Sequence, residues 1–131
     1  MKPTTILLID DDVEMLRLLA AAFSKAGYEV HTATDGHMGM QVFAGAIPDV
    51  VVTDIVMPAQ EGIETIMAMK RARPDVKIVA ISGGGRLAAN TVLNIADHLG
   101  ADQVIAKPFQ LSGLVAVVTL MMRPQAAAAT P

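Results

Sequence analysis

The chain has 131 residues, 53% of them hydrophobic and 18% charged, a balance that excludes disorder for the body of the chain and fits one domain with a sizeable core. A net charge of −3 offers no basic surface for nucleic acid or anionic lipid, and the absence of cysteine excludes a disulfide framework or a thiolate metal site. No apolar stretch near the start is long enough for a signal peptide or a membrane span, so the expected location is cytoplasmic.

Five short apolar runs alternate with segments of helical periodicity. Ile6-Leu7-Leu8-Ile9 reads as a buried strand that ends in Asp10, Asp11 and Asp12. From Val13 to Ala26, Leu16, Leu19, Ala20 and Phe23 recur at helical spacing, with Asp12 as the expected N-cap and Gly27 as the stop. Glu29 to Ala33 reads as a less apolar strand, suited to a sheet edge. Asp35 can cap a second helix running to about Gly45, and Pro48-Asp49 turns the chain into Val50-Val51-Val52, which ends in Asp54. Residues 54–62 read as a loop before a third helix that ends near Arg73. Ile78-Val79-Ala80-Ile81 is a fourth strand, closed by Ser82 and followed by Gly83-Gly84-Gly85. A fourth helix is expected around Val92, Ile95, Ala96 and Leu99, with Gly100 ending it. Val104-Ile105-Ala106 then runs into Lys107-Pro108, and a final helix spans about Gln110 to Met122, before Arg123-Pro124. The predicted domain is 1–123, with an alanine-rich disordered tail over 124–131.

Strand–helix alternation with short connections predicts an α/β fold, a doubly wound five-stranded parallel sheet of flavodoxin-like type with five helices. In strand order 2-1-3-4-5, Asp10 and Asp11 face Asp54 across the switch point between strands one and three. Four strands thus deliver an acid cluster, a lone Asp, a hydroxyl and a cation to one sheet edge. Carboxylates this close repel, and a hard divalent cation removes the conflict; Mg²⁺ takes carboxylates, waters and phosphate oxygens. Mg²⁺, a hydroxyl and an ammonium suit the three equatorial oxygens of a transferring phosphoryl group, and Asp54, standing alone on the central strand, is the candidate nucleophile.

Taken together and in order, Ile6 to Asp12, Asp54 to Gly62, Ile81-Ser82-Gly83 and Lys107-Pro108-Phe109 resemble the CheY-like receiver domain of bacterial two-component response regulators, over residues 4–122. The resemblance implies that Asp54 is the phosphoacceptor and a metal ligand. It makes Asp11 a direct Mg²⁺ ligand, Asp10 a ligand acting mainly through water, and the Val56 carbonyl a third protein oxygen. Ser82 becomes the switch hydroxyl and Lys107 the cation that pairs with the phosphoryl group, placed by a cis bond before Pro108. The implied donor is a histidine kinase or phosphotransfer protein, and the domain itself is a switch rather than a metabolic enzyme.

With eight residues after Arg123, the expected form is a stand-alone domain that signals through protein contacts to an unknown downstream partner, with no direct nucleic-acid or membrane contact. The expected output face is the fourth helix, fifth strand and final helix, which also suits a homodimer. Leu111, Leu114, Val115, Val118 and Met122 form the buried stripe of that final helix, leaving Val117 and Leu120 outward. Val104 stands where many receivers carry a mobile aromatic, so movement of Gly83-Gly84-Gly85 and the following helix is the expected reporter. Val56 and Gly84 lack polar groups to orient water, which implies slow to intermediate loss of the phosphoryl group.

Two other functions fit less well. An aspartate-nucleophile phosphohydrolase of haloacid-dehalogenase type requires a second Asp two residues after the nucleophile, where this chain has Val56. A phosphorylation-independent interaction module has no need of Asp11, Asp54, Ser82 and Lys107 together. Ser82 to Arg86 lacks the Gly-Lys-Ser/Thr ending of a nucleotide-binding loop, and His31, His37 and His98 lack metal spacing.

Overall fold

Side chains alternate across a strand, and here both faces of the inner strands are apolar, so helices must cover the sheet on both sides. A computed structural model describes residues 2–55, 59–83 and 100–123. Its strands are β1 (Thr5–Ile9), β2 (Glu29–Ala33), β3 (Val50–Asp54), β4 (Lys77–Ser82) and β5 (Gln103–Ala106). All pairings are parallel, in the order β2-β1-β3-β4-β5. Four helices lie among the described residues: α1 (Val13–Lys25), α2 (Gly36–Ala46), α3 (Ala59–Ala72) and α4 (Leu111–Met121). The helix expected around Val92 to Leu99, the Gly84-Gly85 part of its loop, Val56 and the tail from 124 all lie outside the described residues.

One face of the sheet presents Leu7, Ile9, Val51, Ile78 and Ala80 to Phe43 of α2 and to Ile66 and Met69 of α3. The other presents Ile6, Leu8, Val50, Val52, Val79 and Ile81 to Leu16, Leu19 and Phe23 of α1 and to Leu114 and Val118 of α4. β1 and β3 are buried throughout, whereas β2 is half-exposed, in keeping with its edge position. Leu111, Val115 and Met122 pack partly buried against the second face; Met121 joins them, and Leu120 remains 61% exposed while Val117 is half-buried.

Local chemistry sets the helix ends. The Asp12 carboxylate accepts hydrogen bonds from the Glu14 and Met15 N–H groups at 3.0 and 3.2 Å, and Asp35 accepts one from Met38 at 2.7 Å. Gly27 adopts a positive φ of 100° just past α1. α2 continues past Gly45 and turns instead at Ile47, whose φ is 50° and whose N–H bonds the Phe43 carbonyl at 3.1 Å. Pro48 disfavours a right-handed helical conformation at the residue before it, so the turn falls on Ile47 rather than on the glycine.

α3 begins at Ala59, earlier than the loop expected over 54–62, so Gly62 lies inside the helix. A Cβ on Gly62 would stand 2.9 Å from the Ile55 Cα, a backbone atom adjoining Asp54. The bare glycine lets α3 approach the end of β3. Gly62→Ala is therefore expected to cost about 1–3 kcal/mol of stability through overpacking and to displace Asp54. Urea unfolding checks the first effect; an unaltered midpoint would show that the helix yields without strain.

Candidate functional site

The parallel register decides which residues meet at the carboxyl edge. Ile9 pairs with Thr53, Asp54 with Ile81, and Ser82 with Ala106. The ladder continues one residue further on both sides: the Asp10 N–H bonds the Ala33 carbonyl at 3.1 Å, and the Lys107 N–H bonds the Ser82 carbonyl at 2.9 Å. Asp10, Asp54, Ser82 and Lys107 therefore stand at the ends of four adjacent strands, as their positions after the apolar runs predict.

Asp10 and Asp54 are buried, at 2% and 6% exposure, and Asp11 is exposed. Each offers a carboxylate oxygen, and these oxygens lie within 4.8 Å of one another, the one such group of possible metal-ligating side chains among the described residues. Asp12 does not join them. It caps α1, and its N–H donates to Asp10 Oδ1 at 2.8 Å, which orients that carboxylate. The Lys107 ammonium donates to Asp54 Oδ2 at 2.7 Å, and the Lys107–Pro108 bond is cis.

Two buried polar atoms at this edge have no hydrogen-bond partner among the described residues: Asp10 Oδ2 and Ser82 Oγ. Unpaired buried polar atoms are costly and call for a ligand, ion or water. Burial holds the Asp10 carboxyl above its usual range, and the Asp54 and Asp11 charges add to that, against the Asp12 N–H and Lys107. Burial lowers the Lys107 pKa, but the hydrogen bond to Asp54 and the charges of Asp54, Asp10 and Asp11 outweigh it, and the net shift is upward. Among the described residues the charges are unbalanced, with three carboxylates against one ammonium. A hard cation fits that donor set, since it would meet both the repulsion and the unpaired Asp10 oxygen.

The Val56 carbonyl, expected as a further metal ligand, lies outside the described residues, as does His98. His31 bonds Glu29 at 3.0 Å and His37 is exposed; neither contributes here. Gly62 and Thr65 of α3, with Thr53 of β3, also line the cleft beside the acids. Their contribution comes from the approach of α3 to the sheet, for which spacing along the chain gives no signal.

Comparison with known proteins agrees with this geometry. The family model for the response regulator receiver domain matches residues 6–119. The chain is 35% identical over 120 residues to the DNA-binding transcriptional regulator NtrC of Azospirillum brasilense, covering 90% of this chain and 24% of that protein. It spans 24% to 52% of the length of such curated relatives, the larger share being that of the transcriptional regulatory protein PrrA of Mycobacterium leprae. Among solved structures, a response regulator protein from Burkholderia multivorans is 34% identical with a TM-score of 0.75, covering 94% of this chain and 98% of that one. Sequence motifs, strand register and these matches concur: the chain belongs to the response regulator receiver domain family.

Proposed function

We propose that this chain is a phosphorylation switch in two-component signalling, and that Asp54 receives the phosphoryl group. The observation that carries the reading is the meeting of a buried Asp54 carboxylate, held at 2.7 Å by Lys107, with two further carboxylates and the buried Ser82 hydroxyl, unpartnered among the described residues, at one sheet edge. Asp54 attacks the phosphorus of a phosphohistidine on a kinase or phosphotransfer protein. The new bond is an acyl P–O bond, the P–N bond breaks, and the imidazole leaves with its electron pair and takes a proton.

Asp10, Asp11 and Asp54 would hold Mg²⁺. When bound, the cation neutralises charge on the phosphoryl oxygens. Lys107 pairs with a second oxygen, and the Ser82 hydroxyl gains in the phosphoryl group the partner that it lacks among the described residues. The Ser82 hydroxyl is the link from chemistry to conformation, since satisfying it pulls the chain at Gly83 towards the site and biases an existing equilibrium. The output surface is the side of β5 and α4 bearing Leu120, which suits a protein partner or a second copy of the chain. The domain is a signalling element rather than a metabolic enzyme: its own activity is limited to taking up a phosphoryl group and releasing it to water.

Incubation with acetyl phosphate, read by intact mass, tests the reading. We expect one phosphoryl group per chain with Mg²⁺ and little in excess chelator. Equal labelling under both conditions would refute the metal requirement.

A further inference from the structure

A small cavity of about 20 Å³ lies against the acid cluster, and neither Lys107 nor Ser82 is among the residues that line it. Asp10, Asp54, Thr53 of β3 and Thr65 of α3 are among the residues that line it. That volume accommodates about one water molecule, which needs two to four polar partners to be held.

The lining supplies them. Asp10 is 2% exposed and its Oδ2 has no hydrogen-bond partner among the described residues. The Thr53 hydroxyl, 1% exposed, reaches the Asp54 carbonyl at 3.4 Å, too long for a strong O–H···O bond. Thr65 is 6% exposed, a buried hydroxyl on a helix face otherwise given to Ile66 and Met69. One donor and two acceptor sites let it serve a water as well as a bond within the chain.

We infer that Thr65 is a positioning residue: its hydroxyl holds a buried water against Asp10 and so orients the carboxylate for the cation. The inference rests on the metal reading above and names the α3 residue that tunes it. One Asp10 oxygen is fixed by the Asp12 N–H, and Thr65 secures the other through water, leaving a lone pair for the metal. Groups that orient metal ligands from behind alter affinity without touching the ion, typically by 10- to 100-fold.

The test compares the parent chain with Thr65→Val, which keeps the shape and removes the hydroxyl, and Thr65→Ser, which keeps the hydroxyl. Mg²⁺ affinity is measured by amide NMR titration, and the melting temperature is recorded with and without Mg²⁺. We expect Thr65→Val to weaken Mg²⁺ binding about tenfold, with a smaller rise in melting temperature on adding Mg²⁺, and Thr65→Ser to bind as the parent does. Unchanged affinity in Thr65→Val, or equal losses in both variants, would overturn the inference. A parent chain that binds no Mg²⁺ would instead overturn the metal reading on which it rests.

Discussion

Asp54→Asn is expected to abolish labelling by acetyl phosphate while the fold survives. The amide is nearly isosteric with the carboxylate but is no nucleophile towards phosphorus. Asn can still accept the Lys107 hydrogen bond now made to Oδ2, and losing one of three clustered negative charges offsets the weaker bond. Stability should therefore stay within about 1 kcal/mol of the parent, the scale of an ordinary net hydrogen bond. Intact mass and a urea melt provide the two readouts. Undiminished labelling would place the phosphoryl group elsewhere, and an unfolded variant would show that Asp54 is first a structural residue.

Lys107→Met should have the opposite balance, with a large loss of stability in metal-free protein. The Asp54 side chain is only 3% exposed, and its ammonium partner would be gone with Asp10 and Asp11 still alongside. Removing one partner of a buried pair costs about 3–5 kcal/mol; a Lys107 side chain one-third exposed reduces this to about 2–4 kcal/mol. Mg²⁺, or a second change of Asp54 to Asn, should restore most of the loss. A double variant no more stable than Lys107→Met would show that the pair is not the cause.

The pH dependence has a definite sign for each member of the cluster. The Lys107 pKa is raised in the native state, so its contribution is fully present below the unfolded-state value and is lost as pH rises through the native one. The Asp10 pKa is also raised, so its contribution is present at acid pH and lost as pH rises through its native value. Once ionised, Asp10 thus destabilises the metal-free protein. Asp10→Asn should raise the metal-free melting temperature by a few degrees and weaken the stabilisation by Mg²⁺. A lower metal-free melting temperature would contradict this.

The sheet was legible in the sequence because each inner strand is a short apolar run closed by a polar residue, and a parallel sheet buried on both faces leaves that signature. Its order also converts chain position into site membership: Asp10, Asp54, Ser82 and Lys107 are each the last residue of a strand or the next one. The caps at Asp12 and Asp35 were legible for a local reason, a carboxylate within reach of the first N–H groups of a helix. What escaped depends on contacts between distant segments. Gly62 reads as a loop glycine until α3 is seen to press on Ile55, and Thr65 reads as an ordinary helix residue until it is seen lining the cavity beside Asp10. One miss is local: Gly45 reads as the stop of α2, yet Pro48 moves the turn onto Ile47. Lys70 gives no sequence signal either, although it bonds the Val76 carbonyl at 2.6 Å and Asp102 at 3.0 Å, tying α3 to the turn before β4 and the approach to β5.

The central claim is that Asp54 carries the phosphoryl group, and peptide mass mapping of the labelled parent chain tests it most directly. After acetyl phosphate and Mg²⁺, borohydride reduction converts an acyl phosphate on aspartate to homoserine and marks the residue. The expected result is homoserine at position 54, dependent on Mg²⁺, with Asp10, Asp11 and Asp12 unmodified. Homoserine at any of those three positions, or label that resists reduction and maps to a hydroxyl or imidazole, would contradict it.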